Sequence, residues 1–109
     1  MSGHAVPVRL ELLHVPGCPN VALFEQRLHQ VLGEEPAGIE LIHREVRTWE
    51  AATAAGMSGS PTLLVDGDDP FAEPGSSPSL SCRLYTDEHG RFDGAPSPTA
   101  LRRVLADGA

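Results

Sequence analysis

The chain has 109 residues, of which 40% are hydrophobic, 21% charged and 5% aromatic, enough for one domain with a single core and too little for two. Eight arginines, no lysine and fifteen acids leave a formal charge of −7, and an acidic surface without a basic stripe argues against nucleic acid or an anionic membrane as partner. Apolar runs fall far short of the ~18 to 20 residues that span a bilayer, and Met1 to Pro7 has no charged segment leading into an apolar one, so the expected location is the cytoplasm.

Val8 to Val15 has Val8, Leu10 and Leu12 on one face and Leu13 and Val15 on the other, which predicts a central strand. Pro16-Gly17-Cys18-Pro19-Asn20 breaks it, since neither proline donates to a ladder. Val21, Phe24, Leu28 and Val31-Leu32 then follow helical spacing up to Gly33, with Asn20 or Cys18 at the cap and Pro19 tolerated in the first turn. Residues 34–38 read as a connector and Ile39 to Val46 as a second strand.

Thr48 is an N-cap for a short helix from Trp49 to Ala55, stopped by Gly56. Ser58 to Pro61 reads as a loop, and Thr62 to Val65 as a strand closed by Asp66-Gly67. From Asp68 to Ser79, prolines, glycines, serines and acids predict one long irregular excursion, the kind of loop that in compact domains is functional or disordered. Ser81 to Thr86 is strand-like, 87–90 a turn, and Arg91 to Asp93 a continuation of the strand. Ser97 followed by Pro98 opens a last helix with Leu101, Val104 and Leu105 inward. The expected order is βαβαββα, without internal repeat.

Two cysteines are too few for the disulfide framework of a small secreted protein. Cys18, where a strand ends and a helix begins, lies near unpaired N–H groups and the positive end of the helix dipole, and both favour thiolate over thiol. It is the candidate nucleophile; the alternative is a packed structural thiol. Cys82 has two readings. It is either a structural thiol distant from Cys18, or a resolving cysteine or second thiolate ligand carried back by the excursion, whose twelve residues at ~3.3 Å each reach about 40 Å. A disulfide would need the two Cα atoms within about 7 Å.

The histidines have no metal-ligand spacing: His14 reads as a strand histidine with a partner, and His29 falls on the polar side of its helix. Glu11 is expected at a solvated edge or paired to an arginine, with a proton-carrying role as the alternative. Asp66, Asp68, Asp69 and Glu73 lack calcium-loop spacing and read as a solvated loop. Phe71 among them is either an anchor for the loop or a lip over the thiol. Neither metal nor cofactor is expected.

The element order, Cys18-Pro19 at the first strand–helix junction and Gly59-Ser60-Pro61-Thr62 before the third strand resemble thioredoxin-like proteins. The strings His14-Val15-Pro16-Gly17-Cys18-Pro19-Asn20, Gly59 to Gly67, Asp69-Pro70-Phe71 and Ser79 to Tyr85 resemble more closely small actinobacterial thioredoxin-like proteins, some labelled alkylmercury lyase, over residues 8–106. The resemblance implies a single α/β domain over 1–109 with an irregular loop at 68–80, a thioredoxin-like fold and a mixed four-stranded sheet flanked by helices. It implies a cis Ser60–Pro61 bond facing a reactive Cys18; with Cys82 added in its resolving reading, which rests on the excursion and not on the resemblance, Cys18, Cys82 and Pro61 are the candidate catalytic set. Pro19, Asn20, Ser60, Thr62 and Phe71 would then lie around a substrate.

The chain departs from the family's Cys-x-x-Cys pattern, because Cys18-Pro19-Asn20-Val21 puts valine where the second cysteine belongs. Exchange within that motif is closed, and Cys82 or an external thiol must resolve Cys18. The expected function is thiol–disulfide or related redox chemistry on a protein or small-molecule thiol or disulfide. Two other functions compete: a non-catalytic binding module using the 68–80 loop or the Pro61 edge, and thiolate handling of mercury or copper(I). The residues imply no particular oligomeric state.

Overall fold

The computed structural model describes residues 8–33 and 39–108; the expectations for 1–7 and for the connector at 34–38 lie outside them. In chain order the elements are β1 (Val8–His14), α1 (Val21–Leu32), β2 (Ile39–Glu45), α2 (Trp49–Ala55), β3 (Ser58–Ser60) and β4 (Thr62–Val65). They are followed by β5 (Ser79–Cys82), β6 (Tyr85–Thr86), β7 (Phe92–Asp93) and α3 (Pro98–Gly108).

β1 is central because both of its faces are apolar. β2 pairs with it in parallel, Val8 opposite Ile39 through His14 opposite Glu45, and β4 pairs antiparallel on the other side, Leu10 opposite Val65 and Leu13 opposite Thr62. Leu10 and Leu12 point into one core with Phe24, Leu28, Leu63, Tyr85 and Leu101, while Leu13 points into a second with Val46, Ala52, Met57 and Leu64. Helices α1 and α3 thus cover one face and α2 the other. Each fully buried Leu or Phe contributes ~1.5–3 kcal/mol from its removal from water.

The caps follow side-chain chemistry. Thr48 Oγ1 accepts from the Ala51 N–H at 3.1 Å, and Gly56 closes α2 in the left-handed region. At α3, Ser97 Oγ accepts from Ala100 N–H at 3.1 Å; Leu101 is fully buried, and Leu105 packs beside it from a half-buried position, as Val104 is half-buried too.

Three features differ from the sequence reading. The main sheet has three strands, β2-β1-β4, and not four. Ser58 to Ser60 is a strand and not a loop, and it pairs in parallel with β5. The Ser81 to Thr86 segment is not one strand: its first part belongs to β5, and Tyr85-Thr86 forms a hairpin with Phe92-Asp93. The physical reason is where the hydrogen bonds go. The Asp66-Gly67 turn is closed by Val65 and Asp68 exchanging backbone bonds, and the returning chain bonds to β3, with Ser79 N–H on the Met57 carbonyl and Arg83 N–H on the Ser60 carbonyl at 3.0 Å. Among the described residues no further strand pairs with the outer edge of β4.

Candidate functional site

Cys18 stands at the junction of two consecutive β-turns. In the first, Cys18 N–H donates to the Val15 carbonyl at 3.3 Å, with Pro16 second and Gly17 third at φ +70°, the residues and sign that a type II turn requires. In the second, Val21 N–H donates to the Cys18 carbonyl at 3.5 Å across Pro19 and Asn20, and Asn20 has φ −93° and ψ −1°, as at the third position of a type I turn. Asn20 rather than Cys18 is therefore the α1 N-cap. It caps through its backbone, and its side chain makes no cap bond. The thiol is half-buried beside the start of α1, Pro19 is exposed and Asn20 half-buried.

The neighbouring corner is built by Gly59 to Thr62. The Ser60–Pro61 peptide is cis. Ser60 Oγ accepts from Val15 N–H at 3.0 Å, so one residue, Val15, ties this corner with its N–H and the Cys18 turn with its carbonyl. Thr62 Oγ1 donates to the Gly59 carbonyl at 2.6 Å. Ser60, Pro61 and Thr62 are all buried, so the two hydroxyls act on the corner from within.

Cys82 ends β5 directly opposite Ser60 and is exposed. The excursion thus returns it to the corner before β4 instead of leaving it at the far end of the sheet. Both cysteines are free.

Sequence reasoning assigned no role to Arg83 or Tyr85, yet they tie the excursion and the β6–β7 hairpin to the Ser60–Pro61 corner. Arg83 Nη1 donates to Asp69 Oδ2 at 2.8 Å and to Thr62 Oγ1 at 3.1 Å, and Nη2 donates to the Phe71 carbonyl at 2.8 Å. The guanidinium lies 4.7 Å from the Tyr85 ring centroid, within cation–π range. Tyr85 donates its hydroxyl to the Pro61 carbonyl, and its ring meets Phe24 and Phe71 edge to face. Burial pushes the Tyr85 hydroxyl well above its ordinary range; the Arg83 charge opposes this, and Asp69 and then Cys18 add to it.

The reading of the loop acids as solvated is corrected for Asp69, whose side chain is 9% exposed against 11% for Arg83. Burial of one charge required the other. Asp66 also has a partner, its carboxylate accepting from Arg9 N–H at 2.8 Å. Phe71 is half-buried and anchors the loop on Tyr85. No local sequence signal marks this cluster, because its members are joined across an excursion without periodicity.

Elsewhere, Glu11 pairs with Arg44 at 3.3 Å. His14 hydrogen-bonds the Val15 carbonyl at 3.1 Å and stacks edge-on against His43, which pairs with Glu25; His29 is exposed on α1. Among the described residues no group of three or more His, Cys, Asp or Glu side chains is placed to hold a metal ion, and no helix is long and apolar enough to cross a membrane.

Fold and site together define a mixed α/β domain with a half-exposed thiol beside a cis-proline corner. No protein-family model and no curated protein matches the chain.

Proposed function

We propose that this chain is a thioredoxin-like thiol protein in which Cys18 is the attacking sulfur in thiol–disulfide exchange with a protein or small-molecule disulfide. The fold assignment is supported by the β2-β1-β4 order with β1 central, helices on both faces and a cis-proline turn leading into the antiparallel strand. The observation that carries the function is the Ser60 Oγ to Val15 N–H bond at 3.0 Å, which fixes the cis-proline corner to the turn that presents Cys18.

In the reaction the Cys18 thiolate attacks one sulfur of the substrate disulfide. A Cys18–substrate bond forms, the substrate S–S bond breaks, and the second substrate sulfur leaves with the electron pair and takes a proton from solvent. Cys82, or an external thiol, then attacks Cys18 Sγ and releases the remaining substrate thiol. The substrate gains two electrons and the attacking thiols lose them.

The test treats Cys82→Ser protein with glutathione disulfide at neutral pH and follows the adduct by mass spectrometry. The expected result is a mixed disulfide at Cys18 forming at least about tenfold faster than on an unstructured cysteine peptide, as activated thiols do. A folded protein whose Cys18 reacts no faster than the peptide overturns the proposal.

A further inference from the structure

β5 pairs with a strand of only three residues, and the register between Ser58 and Ser60 is irregular. So short and irregular a ladder specifies position weakly. What fixes the end of β5 is the next residue, Arg83. Its backbone N–H holds the Ser60 carbonyl at 3.0 Å. Its guanidinium reaches forward to Thr62 and back across the excursion to Asp69 and the Phe71 carbonyl, with the Tyr85 ring against one side. A planar guanidinium holds these donors in a fixed fork, a geometry that a compact ammonium on a flexible stem does not provide.

We propose that Arg83 is a positioning residue for the Cys82 thiol. By clamping the end of β5 and the excursion onto the Ser60–Pro61 corner, it holds Cys82 beside the corner that also carries the Cys18 turn, and so raises the effective concentration of one thiol at the other. The proposal rests on the reading above, in its form where Cys82 resolves Cys18. In that step the Cys82 thiolate attacks Cys18 Sγ of the mixed disulfide, the Cys18–Cys82 bond forms, and the substrate sulfur departs with the electron pair and is protonated by solvent.

The experiment equilibrates the full chain with reduced and oxidised glutathione, quenches in acid and counts the intramolecular disulfide and the Cys18 adduct by mass, with near-UV circular dichroism reporting the fold. The intact chain forms the Cys18–Cys82 disulfide. Arg83→Gln shifts its formation by about tenfold in the glutathione ratio, equivalent to ~30 mV for this two-electron couple. Arg83→Lys keeps a charge opposite Asp69 without the fork and falls between the two. In a Cys82→Ser background the same Arg83 substitutions leave the rate of Cys18 adduct formation within about twofold, because they act on the partner thiol's position and not on Cys18.

Where Arg83→Gln does not fold, Arg83→Lys and Asp69→Asn, which keeps the acceptor's shape and removes its charge, are read in its place against the intact chain. Folded variants with an unchanged glutathione midpoint overturn the clamp and leave the thiol pair standing. A chain that forms the Cys18 adduct but never the Cys18–Cys82 bond overturns both the clamp and the resolving role of Cys82, while Cys18 as attacking thiol survives. Formation of neither overturns the parent reading.

Discussion

Tyr85, a residue only 6% exposed, donates its hydroxyl to the carbonyl of Pro61, so the β6–β7 hairpin is bonded to the turn that introduces β4. The bond serves two buried polar groups at once. Tyr85→Phe keeps the packing on Phe24 and Phe71 but leaves the Pro61 carbonyl without this donor, a loss of ~1–3 kcal/mol. In a domain of this size each kcal/mol corresponds to ~4–8 °C in Tm. Urea and thermal unfolding of the two proteins check it; equal stability would show that the bond contributes nothing.

The same tyrosine sets an alkaline limit. Its hydroxyl is raised above the ordinary value of 10.0, chiefly by burial, with Arg83 opposing and Asp69 and Cys18 adding. Above pH 10 the unfolded chain therefore loses this proton while the folded chain retains it. The stabilisation is whole below pH 10 and falls as pH rises beyond it, with a slope of up to ~1.4 kcal/mol per pH unit. Urea midpoints between pH 9 and 11 should fall less in Tyr85→Phe than in the unsubstituted chain; parallel curves would refute the linkage.

Asp69 and Arg83 form a nearly dry ion pair, and removing one member strands the other. Asp69→Leu is expected to cost ~3–5 kcal/mol. The double substitution Asp69→Leu Arg83→Leu should cost clearly less than the sum of the singles, because no buried charge remains, although Thr62 and the Phe71 carbonyl still lose a donor. A double-mutant cycle by urea unfolding measures the coupling. Additive costs would mean that the pair is not coupled in solution.

The parts of this architecture that could be read from the chain are those with local periodicity. Leu10, Leu12 and Leu13 sort between the two faces of β1 because side chains alternate along a strand, and Thr48 and Gly56 bracket α2 because cap chemistry is local. β3 was illegible because Ser58-Gly59-Ser60 has no apolar alternation and becomes a strand only by pairing with Ser79 to Cys82. The Arg83 cluster was hidden for the same reason. Asp69 and Arg83 are 14 residues apart across an excursion without periodicity, and only the fold brings them together. At the candidate site the turn around Cys18 could be read from Pro16-Gly17 and Pro19-Asn20, whereas the placement of Cys82 opposite Ser60 depended on the return path of that same excursion.

At acid pH, one sensitive contact lies between α1 and the segment before α3. Arg27 donates to Asp93 Oδ2 at 2.7 Å and to the Ala95 and Pro96 carbonyls. The Arg27 hydrogen bond, followed by the Gly94 N–H, holds the Asp93 carboxyl below its ordinary value of 3.8. A depressed folded-state value contributes stability that is present above pH 3.8 and is lost as pH falls below it, since the unfolded chain takes up the proton first. Asp93→Asn should therefore lower the stability at neutral pH and flatten the acid limb between pH 5 and 2, the two profiles converging as Asp93 takes up its proton; an unchanged acid limb would rule the pair out.

Gly94 explains why Asn20 can sit beside Cys18. A Cβ built at Gly94 would lie 2.3 Å from Asn20 Cγ, with the amide nitrogen and oxygen at 2.4 and 2.5 Å, closer than any real contact. Gly94→Ala must therefore push the Asn20 side chain away, and overpacking of this kind costs ~1–3 kcal/mol. Because Asn20 makes no cap bond with its side chain, Asn20→Ala is expected to cost little by itself and to relieve the clash, so the double variant should recover most of the stability lost in Gly94→Ala. Thermal unfolding of the four proteins decides it. The turn that presents Cys18 ends at Asn20, so glutathione adduct formation at Cys18 should change in Gly94→Ala and return toward the original rate in the double variant; a loss of stability that Asn20→Ala fails to rescue would place the strain elsewhere.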